Sequence, residues 1–163
     1  MKEPLWIVEA KKHIGLAEIP GPKHNATILN WLKELKAWWK EEDETPWCGA
    51  FVAHCMQAAG IEYPKYWMRA KDWATWGDPV KKPTMGCVVV FERRGGGHVG
   101  FVMGQDEKGR LMVLGGNQGN RVSIAPFDTA RAIAYRVPTG TFLTPSFMPQ
   151  LAANGVASST NEA

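Results

Sequence analysis

An α+β fold is predicted for this chain on three observations. Apolar residues recur every three to four positions through the first half, the period drops to two after Gly86, and the later segments are joined by short turns rich in Gly, Asp and Asn. Helices first and strands later is the α+β pattern, with an antiparallel sheet, and not the alternating pattern of a doubly wound fold.

The elements follow in order. Trp6, Ala10, Ile14 and Ala17 predict a first helix over Pro4 to Gly15, and Pro20-Gly21-Pro22 then breaks the chain. Asn25 is placed to cap a second helix whose apolar stripe is Ile28, Leu32, Leu35 and Trp39. A third helix begins behind Thr45, a good N-cap followed by proline at the first helical position, and stops at Gly60. Met68 to Trp76 predicts a short fourth helix ended by Gly77. Strands are predicted at Cys87–Phe91, His98–Met103, Leu111–Leu114, Val122–Ala125 and Ala132–Val137. Residues 1–140 therefore read as one folded domain. Beyond Val137 the only charged side chain is Glu162, and residues 141–163 are expected to form a flexible tail.

Composition narrows the function classes. A hydrophobic share of 45% with 21% charged residues is that of an ordinary soluble globular protein. A net charge of +3 without a basic stripe argues against a nucleic-acid partner. The acidic run Glu41-Glu42-Asp43-Glu44 reads as a solvated loop. No stretch reaches the length of about 20 apolar residues that spans a bilayer, and Met1 to Trp6 carries no signal-peptide pattern, so the expectation is synthesis in the cytoplasm without membrane insertion. Eight tryptophans, all between positions 6 and 76, serve either a core or a groove for a sugar or peptide. Cys48 and Cys55 lie about 10 Å apart along one helix, too far for a bridge, and an odd count of three cysteines leaves a thiol for chemistry.

Cys48 is the candidate nucleophile. Its place in the first turn of the third helix exposes it to backbone N–H groups and to the positive end of the helix dipole, which favour a thiolate and can bind an oxyanion. Cys55, in mid-stripe, and Cys87, inside a strand, read as buried structural thiols. A thiol nucleophile needs a base, and the base needs an orienting group. Of the four histidines, His13 and His24 read as surface residues. His54 lies on the helix of Cys48 but about 120° around it. His98 follows Gly95-Gly96-Gly97 and opens an alternating strand, which makes it the candidate base. Asn117 and Gln118 stand just after the Leu111–Leu114 strand, and an Asn side-chain oxygen there can fix the imidazole tautomer, although turn chemistry also favours Asn beside Gly.

Three segments, Trp47-Cys48-Gly49-Ala50-Phe51-Val52, Gly97-His98-Val99-Gly100-Phe101-Val102 and Gly115-Gly116-Asn117-Gln118, resemble the cysteine, histidine-dependent amidohydrolase/peptidase (CHAP) and NlpC-type group. The similarity is to a branch common in phage endolysins and small bacterial wall hydrolases, and it spans residues 5 to 137. It implies a papain-like fold, with N-terminal helices packed on a C-terminal antiparallel sheet and the nucleophile at a helix N-terminus. It also implies cleavage of amide bonds in peptidoglycan stem peptides, either sugar–peptide or within the peptide. Carried over by position, Cys48 matches the nucleophile, His98 the base and Asn117 the polar third residue. Many members carry a glutamate two positions before that asparagine, where this chain has Gly115.

Trp47, Trp73 and Trp76 are candidates for the groove wall, and Gln118 for substrate contact. Some relatives bind calcium near the nucleophile through several aspartates. Here only Asp43 and glutamates stand nearby, so neither metal nor cofactor is predicted. The implied partner is bacterial peptidoglycan, met by a monomer made in a host cytoplasm and acting on the wall. Three other readings stand beside this one: a secreted antibacterial effector with the same chemistry, a wall-binding module without turnover, and an acyltransferase on the same scaffold that uses an amine in place of water.

Overall fold

A computed structural model describes residues 3–17, 26–35, 47–93, 96–143 and 148–151. Three helices come first: α1 (Leu5–Lys11), α2 (Ala26–Glu34) and α3 (Cys48–Ala58). A 3-10 turn at Ala70–Thr75 leads into six strands, β1 (Asp78–Pro79), β2 (Val88–Arg93), β3 (Gly96–Gln105), β4 (Leu111–Gly115), β5 (Ser123–Phe127) and β6 (Ala132–Val137). They form one sheet in the order β1-β6-β2-β3-β4-β5, every pair antiparallel. The expected α+β architecture, helices before an antiparallel sheet, is the one found. No helix among the described residues is long and apolar enough to cross a membrane.

Strand alternation divides the apolar residues between the two faces of the sheet. Val88 and Val90 of β2, Val99 and Phe101 of β3 and Met112 and Leu114 of β4 face the helices, where they pack with Trp6, Ile28, Trp31, Phe51, Val52 and Trp73. Val89, Phe91, Val102, Leu111 and Val113 form a second, smaller core on the opposite face. On that face the Phe91 and Phe127 rings stack at 4.7 Å between centroids, although β2 and β5 are three strand spacings apart, about 14 Å in a flat sheet. The sheet is thus curled around this core, as strand twist favours.

Several boundaries differ from the sequence expectation. The first helix ends at Lys11 and continues as turns to Gly15, whose φ of 98° closes the helical path. Met68 to Trp76 contains only a 3-10 turn, because Arg69 and Trp76 are both extended at its ends. The two-residue β1, too short to leave a periodic signal, pairs with β6. Of the predicted tail, residues 141–143 and 148–151 are described: Leu143 and Leu151 pack on the main core, and Leu151 N donates to Gln105 O at 2.8 Å. Asn25, Trp39, Thr45 and the acidic run 41–44 lie outside the described residues.

Candidate active site

Helix α3 begins at Cys48, with Trp47 at the N-cap in a non-helical conformation, φ −120° and ψ 16°. Cys48 is therefore the first helical residue, two positions later than a start at Pro46 would give. The N–H groups of a helix's first turn have no partner within the helix, and Cys48 stands in that turn. The turn is held by close approach of another segment: a methyl on Gly49 would lie 2.1 Å from the Trp67 carbonyl oxygen. That carbonyl also accepts from Trp73 Nε1 at 3.0 Å. Cys48 is 8% exposed and belongs to the core between helices and sheet.

His98 is the third residue of β3, and only 1% of it is exposed. Its cross-strand partner is Phe91, and alternation puts both on the curled face of the sheet. The imidazole stacks on Phe127 at 5.2 Å, with the Phe91 ring at 6.3 Å. Its Nε2 meets Gln118 Oε1 at 2.8 Å. Gln118 Nε2 donates to the backbone oxygens of Val113 at 3.0 Å and Ser123 at 2.9 Å, so the orientation of the amide is fixed: nitrogen to the sheet, oxygen to the histidine. An oxygen facing Nε2 requires Nε2 to carry the proton. In the neutral ring Nδ1 is then the basic nitrogen.

This corrects the expectation for the third residue. Gln118, not Asn117, meets His98. Asn117 adopts φ 60°, a left-handed conformation that asparagine tolerates, and it turns the chain so that the next side chain folds back under the end of β4. Gly115 makes the room. A methyl there would lie 2.3 Å from Gln118 Oε1 and 3.3 Å from His98 Nε2. The departure at Gly115 and the arrival of Gln118 are one feature, because any side chain at 115 would occupy the space of the amide.

The Gly115-Gly116 corner also ties the histidine to the start of α3. One residue beyond Gly115, a methyl on Gly116 would lie 2.8 Å from the Trp47 ring and from Phe51 Cβ. His98 thus sits at one side of this corner, and the residue before Cys48 packs on it from the other.

The tryptophans divide differently from the sequence expectation. Trp47 and Trp73 are fully buried and offer no face to a ligand, so both are core residues. Large apolar rings at a helix start and inside a turn gain more from packing than from exposure. Trp76 is half-buried, donates from Nε1 to Glu62 O at 3.0 Å and stacks edgewise on Trp73 at 5.1 Å. One group of polar residues escaped the sequence reading. His13 and His54, read as separate, both reach Glu9. The spacing of Glu9 and His13 was visible, but the approach of His54 depends on how the two helices pack.

A search of curated proteins finds no match to the chain. The model of the CHAP domain matches residues 40–117, a little under half of the chain, and the matched stretch contains Cys48, His98 and Asn117 and stops one residue short of Gln118. Together with the helices-then-sheet architecture, that match supports a CHAP-type peptidase/hydrolase domain in this protein, of the kind that acts on peptidoglycan.

Proposed function

We propose that the protein cleaves amide bonds in the stem peptides of bacterial peptidoglycan by a thiol mechanism, with Cys48 as nucleophile, His98 as base and Gln118 as the residue that positions His98. The observation that carries this reading is the amide of Gln118, anchored by two backbone acceptors and presenting its oxygen to His98 Nε2. A buried imidazole held in that tautomer has its basic nitrogen at Nδ1, the atom that would accept the thiol proton in this mechanism.

The Cys48 thiol gives its proton to His98 Nδ1 and its sulfur attacks the amide carbon. In this mechanism the first-turn amides of α3 stabilise the oxyanion. His98 then delivers the proton to the departing amine as the C–N bond breaks, leaving a thioester on Cys48. Water, deprotonated by His98, cleaves the thioester to a carboxylic acid and restores the thiol.

The finer form of the proposal is an endolysin that lyses a host cell. It rests on the resemblance of the three motifs to the branch found in phage lysis proteins. The test is digestion of purified peptidoglycan with mass analysis of the fragments. Release of sugar-free stem peptides identifies an amidase, and release of shortened peptides identifies an endopeptidase. Retention of intact protein on the wall with no fragments released supports the binding-module reading instead.

A further inference from the structure

On the face of α1 that packs against α3, three donor atoms converge. His13 Nε2 lies 2.8 Å and His54 Nε2 2.9 Å from the same atom, Glu9 Oε2. Glu9 lies on α1, His13 follows four positions later in the turns that extend it, and His54 comes from α3. The three ligand atoms all lie within 4.8 Å of one another. We propose that Glu9, His13 and His54 form a binding site for a divalent transition-metal ion of the zinc class, clamping α1 to the helix that carries Cys48.

The donor set is one carboxylate and two imidazoles, which suits zinc with water in the fourth position. All three side chains are accessible in part, between 14% and 20%, so an ion and a water can reach them. In a tetrahedral site with bonds of about 2.0–2.1 Å, ligand atoms stand roughly 3.3 Å apart. Each ring therefore retreats from Glu9 Oε2 by a few tenths of an ångström, while the two ring nitrogens, within 4.8 Å of each other, close in by up to about 1.5 Å. The Trp31 ring backs the site, stacked on His54 at 4.9 Å and edge-on to His13 at 5.0 Å, and it holds both imidazoles in their planes. The carboxylate is ready to bind. Burial works to raise the Glu9 pKa, but the hydrogen bonds from both histidines and their charge outweigh it and bring it down to about 2. Lys12 Nζ lies 3.4 Å from the other carboxylate oxygen, on a side chain exposed enough to swing clear.

What holds the far nitrogen of each imidazole sets the expected strength. With the ion bound to Nε2, each imidazole carries its proton on Nδ1. His54 Nδ1 is buried with no hydrogen-bond partner. Loss of such an outer partner weakens metal affinity by about 10- to 100-fold, so micromolar binding is expected, well short of a structural zinc finger. Metal binding here is independent of the hydrolase chemistry proposed above.

The test is titration of the metal-free, tag-free protein with Co2+ and Zn2+, followed by visible absorption and thermal melting. The expected result is one Co2+ per chain with tetrahedral ligand-field bands, no thiolate-to-cobalt charge-transfer band, displacement by Zn2+ and a melting temperature that rises with zinc. His13→Ala and His54→Ala should each weaken binding by about tenfold or more. If His54→Ala unfolds the protein, His13→Gln, at the more accessible ring, supplies the same comparison. Absence of Co2+ bands at millimolar metal, a charge-transfer band from a cysteine, or equal binding in folded histidine variants would overturn the assignment.

Discussion

His98 and Gln118 are joined by a 2.8 Å hydrogen bond in which the glutamine supplies the oxygen, and two backbone carbonyls on its other side prevent the amide from turning over. Gln118 reaches the histidine only because Gly115 has no side chain. The orienting group of the candidate dyad is thus a glutamine folded back from the turn beyond β4.

Replacing Gln118 should therefore cost far more activity than replacing Asn117. Gln118→Ala removes the acceptor that fixes the His98 tautomer, and a loss of kcat of about 10²-fold or more is expected. Asn117→Gly keeps the left-handed backbone and should stay within about threefold of wild type. Steady-state kinetics on a soluble stem-peptide substrate would separate the two. The opposite ranking would return the orienting role to Asn117.

Gly115→Ala places a methyl 2.3 Å from Gln118 Oε1. The neighbours are the doubly anchored Gln118 amide and the buried His98 ring, with little room to yield. Destabilisation of about 1–3 kcal/mol by chemical denaturation, together with a loss of activity like that of Gln118→Ala, is the expected outcome. A variant as stable and active as wild type would show that the amide is not held as described.

The three thiols should differ in reactivity. Burial pushes the Cys87 thiol up to about 12, against hydrogen bonding from its surroundings that acts to lower it. Burial, assisted by the charge of Glu9, also holds Cys55 well above the ordinary range. Since the thiolate is the reactive form, iodoacetamide at neutral pH should modify Cys48 and spare Cys55 and Cys87 in the native protein. Peptide mapping reads this directly. Labelling of Cys55 or Cys87 ahead of Cys48 would contradict it.

Glu9 makes stability depend on pH. Its folded pKa of about 2 lies below the ordinary 4.5, so the unfolded chain binds the proton first as pH falls. The contribution is fully present above about pH 4.5 and is lost as pH drops toward 2. Glu9→Gln should therefore lower the melting temperature at pH 6 more than at pH 2.5. An equal effect at both values would mean that the carboxylate is not stabilised by His13 and His54.

Much of this was legible in the chain, and the exceptions share a physical cause. Apolar period, with Gly and Pro as punctuation, placed the α3 stripe Val52-Cys55, the Val88–Phe91 strand and the reversal of pattern at Gly86. Cys48 does stand in the first turn, but behind an N-cap at Trp47, whereas local capping rules pointed to Thr45. What was hidden depends on contacts distant in sequence or on the path of a single turn. Asn117 and Gln118 are adjacent and equally polar, and only the φ of 60° at Asn117 decides which one faces His98. His54 meets Glu9 across 45 positions of sequence, and no periodicity encodes that contact. Trp47 and Trp73 looked equally suited to a groove and to a core, because composition does not distinguish a ring that is buried from one that waits for a ligand.

The most direct test of the central claim is release of new amino groups from purified peptidoglycan by wild-type protein, Cys48→Ala and His98→Ala, with folding of each checked by circular dichroism. The account predicts steady release by wild type and none above background from either folded variant. Continued release by Cys48→Ala would contradict it, because no other thiol in the chain is placed to take over the attack.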